Sequence, residues 1–257
     1  MKLAVTLIHS RDNALLKDLR RLSQDSTAYR KQGRVWLEGD HLCGAALARG
    51  QRPAIAVFSE SFWPLAPAQY AQAAIKNVVI ADVLWQDISG LESPARMGFV
   101  LALPAEPGLD AQAPTVVLDR LQDAGNVGSI LRSAAAFGFT QIAALKGTAA
   151  LWSAKVLRAG MGAHFALRLA EGLDMADIDD LAVPLLATSS HQGDWLHRAQ
   201  LPWPCGWILG HEGQGVSPAL QQRARQHIRI AQPGGEESLN VGAAAAICLH
   251  ASAAARV

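Results

Sequence analysis

The sequence lacks three features that would have narrowed its function quickly. No apolar run approaches the roughly 18 residues of a membrane span. The alanine-rich C-terminal stretch comes closest, but His250 and Ser252 interrupt it. Met1–Ile8 is too short for a signal peptide and lacks its flanks, so neither an export signal nor a membrane partner is expected. Cysteine is also scarce. Cys43, Cys205 and Cys248 are far apart and odd in number, which excludes a disulfide framework and any metal or redox spacing. Reduced, buried thiols in a cytoplasm are the expected state. The histidines show no ligand pattern either, and His191 and His197, flanking a Gly-Asp-Trp turn, read as surface residues. No metal is expected. The third absence is a basic excess. The 23 Lys and Arg nearly balance 22 Asp and Glu, for a net charge of +1. Strong phosphate binding usually shows as positive surplus, so the total does not advertise a nucleic-acid partner. A local basic face remains open, with Arg20, Arg21, Arg30, Lys31 and Arg34 as its candidates.

What is present suits a globular α/β protein. The 257 residues are 50% apolar and 18% charged, enough for one large domain or two modest ones. Three prolines and a glycine between Leu103 and Pro114 cannot continue a helix or a central strand, and mark an interdomain linker. The expected division is residues 1–102, a linker over 103–113, and a second domain from 114 to 257. In the first half, Leu15, Leu16, Leu19 and Leu22 recur at helical spacing after a plausible N-cap, Asn13. Short strands fit Val35–Leu37, Ile55–Phe58 and Val78–Ile80, with a helix over about Asp40 to Ala48 between the first two. The second half alternates strand and helix more clearly. Strands fit Thr115–Leu118, Gln141–Leu145, Ala166–Leu169, Pro184–Thr188, Gly206–Leu209 and His227–Ile230, and their apolar character on both faces suits a parallel sheet. Helices fit Val127–Phe137, Ser153–Ala159, Ala176–Leu181, Pro218–Arg225 and Ser238–Ala254.

Three segments at the C-terminal ends of these strands carry polar chemistry, where α/β sheets place ligand sites. The first is Asn126-x-Gly128-x-x-x-Arg132. A helix N-terminus there offers free N–H groups, Asn126 can cap the helix or contact a ribose, and Arg132 can hold a phosphate through two parallel bonds. An ordinary N-cap beside a surface arginine is the plainer reading. The dinucleotide fingerprint Gly-x-Gly-x-x-Gly is missing. The second is Gly210-x-Glu212-Gly213-x-Gly215, leading into Ser217-Pro218 as N-cap and first helical residue. Glycine at this density permits close backbone approach to a ligand, or simply a tight connection. The third is Ser238-Leu239-Asn240-Val241 after a Pro-Gly-Gly loop. Ser238 reads as an N-cap, while Asn240, in the first helical turn, is a poor helix former with no evident local role.

In this order and at these separations, the three segments resemble the motifs of the SpoU (TrmH-like) family of RNA ribose 2'-O-methyltransferases. The resemblance runs from about Ala113 to the C-terminus. It extends forward through Asn13 with Lys17, Tyr29–Arg30–Lys31, and Leu37–Glu38–Gly39 with His41, which are similar to that family's ribosomal-protein-like substrate-binding domain. It implies a knotted C-terminal domain, a deep trefoil knot on a mostly parallel sheet with helices on both faces. It further implies S-adenosylmethionine as methyl donor, rRNA or tRNA as substrate, and a homodimer through the first and last helices of the C-terminal domain. Carried over by motif, Asn126, Arg132, Glu212, Ser238 and Asn240 are the catalytic candidates. Thr188, Gly210, Gly213, Ile230 and Leu239 are the candidate donor contacts, and Arg30, Lys31 and Arg132 the candidate RNA contacts. Glu212 is expected to orient Arg132 or Asn126. The chain departs from the family pattern at Ala231–Gln232, His211, Gly242 and Arg96–Met97–Gly98. A silent knotted RNA-binding protein and a base-methylating knotted enzyme are the alternatives.

Overall fold

The computed structural model describes residues 5–90, 92–235 and 239–256. These form two compact units: residues 1–105 with 152–165, and residues 106–151 with 166–257.

The first unit holds a mixed five-stranded sheet. Its strands are β1 (Val5–Ile8), β2 (Arg34–Glu38), β3 (Ile55–Ser59), β4 (Lys76–Ile80) and β5 (Met97–Ala102). The order is β1-β4-β3-β5-β2, with β5 antiparallel to both of its neighbours. Helix α1 (Ala14–Gln24) starts as the sequence predicts, with the Asn13 side chain accepting the Leu15 N–H at 2.9 Å. Leu16, Leu19 and Leu22 form its buried face. Helices α2 (Ala28–Gln32), α3 (Asp40–Ala48), α4 (Ala68–Ala71) and α5 (Asp82–Trp85) complete the chain order up to the linker. The sequence reading misses β1, β5 and α2. β1 is an edge strand with three exposed residues, and α2 spans only five residues, so neither shows a clear period.

Helix α7 (Ala154–Gly160) comes from the second half of the sequence, yet it packs on β2 and α1 in the first unit. Its Arg158 lies 3.9 Å from the buried carboxylate of Glu38, which also accepts hydrogen bonds from Ser89 Oγ and the Gly90 N–H. A single cut in the linker therefore does not separate the two units.

The second unit is a seven-stranded sheet in which every pairing is parallel. Its strands are β6 (Thr115–Asp119), β7 (Gln141–Leu145), β8 (Arg168–Leu173), β9 (Leu185–Thr188), β10 (Asp194–Trp195), β11 (Gly206–Gly210) and β12 (Gln226–Arg229), in the order β10-β12-β9-β11-β6-β7-β8. The helices are α6 (Ala124–Ala136), α8 (Met175–Ile178), α9 (Pro218–Arg223) and α10 (Val241–Ala254). β6, β7 and β11 are buried along their whole length, as their continuous apolar runs predict. One core face joins Val117, Ala143, Ile208, Leu185 and Leu220. Burying each such side chain is worth about 1.5–3 kcal/mol. Trp207 is fully buried, and its indole N–H reaches Ser252 Oγ at 2.9 Å, which satisfies both groups and ties β11 to α10. The strand expected over 166–169 begins instead at Arg168, after a 3-10 turn over Ala163–Ala166.

Candidate active site

β6 and β11 are paired in register, with Asp119 opposite Gly210 at their C-terminal ends. Parallel pairing makes both strands release their loops on the same side, and those loops carry the first two motifs.

The first loop leads into α6, whose N-cap is Asp123; its carboxylate accepts the Asn126 N–H at 2.7 Å. Of the two roles the sequence leaves open for Asn126, capping the helix is taken by Asp123. The helix begins at Ala124, so Asn126 is its third residue and its side chain is free to reach outward. The second loop closes on itself. Gly215 N–H donates to the His211 carbonyl at 2.8 Å, and the His211 ring accepts from the Gly213 N–H at 3.0 Å. Gly210 is required for a reason other than ligand approach. A Cβ there would lie 2.1 Å from the Gly215 carbonyl carbon and from the Val216 nitrogen. The returning loop backbone occupies that space.

Glu212 joins the two loops. Its carboxylate accepts the N–H groups of Gln122 at 3.3 Å and Asp123 at 3.2 Å, and the Asn126 side-chain amide at 3.3 Å. Of the two partners expected for it, the structure shows Asn126 and not Arg132. Partial burial acts to raise its pKa. The N–H groups of Glu212 itself, Asp123 and Gln122, with the Asn126 amide, outweigh that and hold the carboxyl below its ordinary range.

Asn126 in turn accepts the Asn240 amide through Oδ1 at 2.9 Å. Asn240 does have a structural role, contrary to the sequence reading. It is the N-cap of α10, accepting from Gly242 N at 2.9 Å and Ala243 N at 3.2 Å. α10 thus begins at Val241 rather than Ser238, and Ser238 lies outside the described residues. At Gly242 a Cβ would stand 3.1 Å from the capping Asn240 Oδ1 and in ordinary contact, at 3.6 Å, with Asn126 Oδ1 and Ser129 Cβ on α6. A chain of side-chain bonds therefore runs Glu212–Asn126–Asn240 across all three motifs. Arg132 is exposed on α6 and makes no hydrogen bond or ion pair among the described residues.

A cavity of about 620 Å³ opens beside this chain, at the ends of β9, β11 and β12. All five expected donor contacts, Thr188, Gly210, Gly213, Ile230 and Leu239, line it together with Glu212 and Asn240. Asn126 and Arg132 do not. Thr188 turns its hydroxyl to the Ile208 carbonyl at 3.0 Å. The sequence reading missed Asp119. This carboxylate is 1% exposed, and it accepts the Ser217 N–H at 2.6 Å and Arg120 Nε at 2.9 Å, a second tie between the first two loops. Its signal was an acid at the end of an otherwise apolar strand.

In the first unit, Arg30 and Lys31 occupy the exposed last turn of α2, with the Arg30 guanidinium 5.4 Å from the Tyr29 ring centroid. Two other members of the basic set are engaged, Arg20 with Asp87 at 3.0 Å and Arg34 with Asp18 at 3.2 Å. The three cysteines are free and buried. Burial pushes the Cys205 thiol up to about 11 and the Cys248 thiol to about 12, so both stay protonated at neutral pH.

Comparison with known proteins agrees with these motifs. Residues 113–250 match the model of the SpoU rRNA methylase family. A tRNA/rRNA methyltransferase of Synechocystis, itself uncharacterized, is 31% identical over 96% of this chain and 93% of its own length. The 23S rRNA guanosine 2'-O-methyltransferase RlmP of Bacillus subtilis is 27% identical over 95% of this chain and 97% of its own. A solved RNA 2'-O ribose methyltransferase superposes with a TM-score of 0.80 at 27% identity, covering 98% of this chain and 99% of that one. An S-adenosylmethionine-bound rRNA methyltransferase from Sinorhizobium meliloti, 24% identical over 98% of this chain and 99% of that one, shares the fold with a TM-score of 0.85. With more than half its length matched by the family model, and its three motif loops joined through Glu212, Asn126 and Asn240, the chain belongs to the SpoU rRNA methylase family.

Proposed function

We propose that this protein transfers the methyl group of S-adenosylmethionine to a ribose 2'-hydroxyl of ribosomal RNA. The observation that carries the reading is the Glu212–Asn126–Asn240 chain, which joins the three motif loops beside a ligand-sized cavity. The residues present fit the donor. The cavity lies within the roughly 300–1,000 Å³ of ligand sites. Ile228, Ile230 and Val216 offer apolar wall, and Thr188, Ser189 and the loop backbone at 210–215 offer polar groups, as an adenosine with a charged tail requires.

When bound, that donor supplies an activated methyl group and a neutral thioether leaving group. The protein's task is positioning and proton removal. A new C–O bond forms at the ribose oxygen as the S–C bond breaks, and the hydroxyl proton must leave. Arg132 is a poor base, because a guanidinium keeps its proton up to a pKa above about 12. Its role here is to anchor the phosphate beside the target ribose; that phosphate takes up the proton, directly or through a relay in which the Ser238 hydroxyl accepts one proton as it gives up its own. Asn126 and Asn240 hold the loops in place and orient the ribose. Glu212 fixes Asn126 and the N–H groups of the first loop.

The knot belongs to this proposal, supported by the return of α10 onto α6 and by the adjacency of the second and third loops at the cavity. So does a homodimer through α6 and α10, supported by the exposed Ile247 among small residues on α10. So too does the assignment of residues 1–102 as the RNA-binding part, supported by the exposed Arg30 and Lys31, and a cytoplasmic site of action, supported by the free buried thiols.

The test is methyl transfer from labelled S-adenosylmethionine into separate rRNA and tRNA pools from cells lacking the enzyme, followed by nucleoside digestion. The expected product is a 2'-O-methylnucleoside from rRNA, absent with Arg132→Ala. Label in tRNA would reassign the substrate, and label in a base would overturn the reaction.

A further inference from the structure

We propose that Arg120 is a second RNA-phosphate contact, held ready at the mouth of the first motif loop. The proposal rests on the RNA-methyltransferase reading and adds a residue outside the three motifs.

Arg120 stands out for its backbone. Its φ is +60°, one of two non-glycine residues in the left-handed region among those described. A side chain there crowds its own carbonyl, and glycine would fit without that cost. The neighbouring turn is tight as well, since a Cβ on Gly147, itself at φ +92°, would lie 3.3 Å from Arg120 Cγ. Strained positions of this kind persist where the surroundings over-determine them, and they concentrate at functional sites.

The surroundings here are specific. Asp119 is buried at the end of β6. One of its oxygens takes the Ser217 N–H at 2.6 Å and the other takes Arg120 Nε at 2.9 Å. The guanidinium is thus gripped from its Nε side. Its two terminal nitrogens make no hydrogen bond among the described residues, and 40% of the side chain is exposed. That leaves the end-on pair of N–H groups, the fork that matches two phosphate oxygens. The anchor also limits how far the side chain can wander, so little rotamer freedom remains to be lost on binding.

The location suits the substrate. Arg120 follows the residue paired with Gly210, which lines the cavity. It precedes Gln122 and Asp123, whose N–H groups hold Glu212. A phosphate on this fork lies next to the loop that, through α6, carries Arg132. Arg132 is exposed on that helix, so a guanidinium stands on each side of Asn126 in sequence, Arg120 tethered through Nε to Asp119 and Arg132 untethered among the described residues.

The experiment measures binding of the full-length protein to an in vitro transcript of large-subunit rRNA over a range of salt concentrations. S-adenosylhomocysteine affinity and melting temperature are recorded alongside. Arg120→Gly, which suits the left-handed backbone, should weaken RNA binding several-fold and reduce the slope of log affinity against log salt by about 1. S-adenosylhomocysteine affinity should stay at the wild-type value. Arg120→Gln, which keeps a donor for Asp119 but no charge, should lower the slope equally. An unchanged slope in both variants overturns the proposal, even if the melting temperature moves, because that pattern marks a purely structural ion pair. A wild-type protein that binds S-adenosylhomocysteine but not the transcript sinks the rRNA reading and this inference with it.

Discussion

The two sheets differ in strand direction, and that difference decides where a ligand site forms. In the seven-stranded sheet every pairing is parallel. The loops after β6, β9, β11 and β12 therefore leave on one side, and those after β9, β11 and β12 line one cavity. In the five-stranded sheet β5 runs against β3 and β2, so loops are shared between the two ends. Both units use buried carboxylates to tie distant segments, Glu38 in the first and Asp119 in the second, but only in the parallel sheet do the tied segments sit beside the cavity. Convergence of loops, more than local composition, makes the site.

Substitutions on each side of this comparison should therefore differ in kind. The largest effect is expected at Arg132. Arg132→Ala should lower turnover by about 10²-fold or more while calorimetric S-adenosylhomocysteine affinity is kept, since positioned charges of this type commonly contribute that much. Equal loss of affinity and rate would reject a positioning role. Gly210→Ala should come next. Its Cβ meets backbone at 2.1 Å, so the 210–216 loop must shift; donor affinity should fall and stability drop by about 1–3 kcal/mol in chemical denaturation. Wild-type affinity in that variant would show that the loop can move without consequence. Asn240→Ala removes an N-cap and the bond to Asn126, and should cost about 0.5–2 kcal/mol together with a fall in turnover. Restoration by Asn240→Asp of stability but not of turnover would separate the cap from the amide donor.

The first unit should give smaller, salt-dependent effects. Exchanging Arg30 and Lys31 for alanine should weaken rRNA binding and lower the salt slope by about 1–2, leaving S-adenosylhomocysteine affinity unchanged. No change in the slope would remove α2 from the RNA surface. The smallest effect concerns pH. Glu212 is held below its ordinary value of 4.5, so its contribution to stability is present above that pH and is lost as pH falls through the depressed value. The stability difference between wild type and Glu212→Gln should stay flat near neutrality and shrink only below pH 4.5. A difference that grows as the solution is acidified would mean the carboxyl is raised.

Much of the second unit was legible because its signals are local. The continuous apolar runs of β6, β7 and β11 announce strands buried on both faces. Ser217-Pro218 marks a helix start there, and in the first unit Asn13 caps α1 as its position predicts. The errors came where a residue's role depends on a distant partner. Asn126 can be read as a cap or as a ribose contact until Asp123, three residues earlier, is seen to cap the helix. Asn240 looks idle until α10 is found to begin one residue later. Helix α7 reads as part of the second half, but its contacts lie with β2 and α1. Of the two uses the sequence allows for Gly210, the tight connection is visible in the returning loop backbone that would meet its Cβ, and the residue lines the cavity as well.

The sequence by itself determined the alternation of strands and helices, the parallel character of the second sheet and the three motif segments with their residue types. Periodicity, capping and apolar burial act over a few residues, so they can be read along the chain. The tertiary structure alone decided that Glu212 bonds Asn126 rather than Arg132, that Asn126 meets Asn240 across 114 positions, and that Asp119 ties Arg120 to Ser217. Hydrogen bonds depend on distances of about 3 Å, and only strand order and register set those between segments so far apart in the chain.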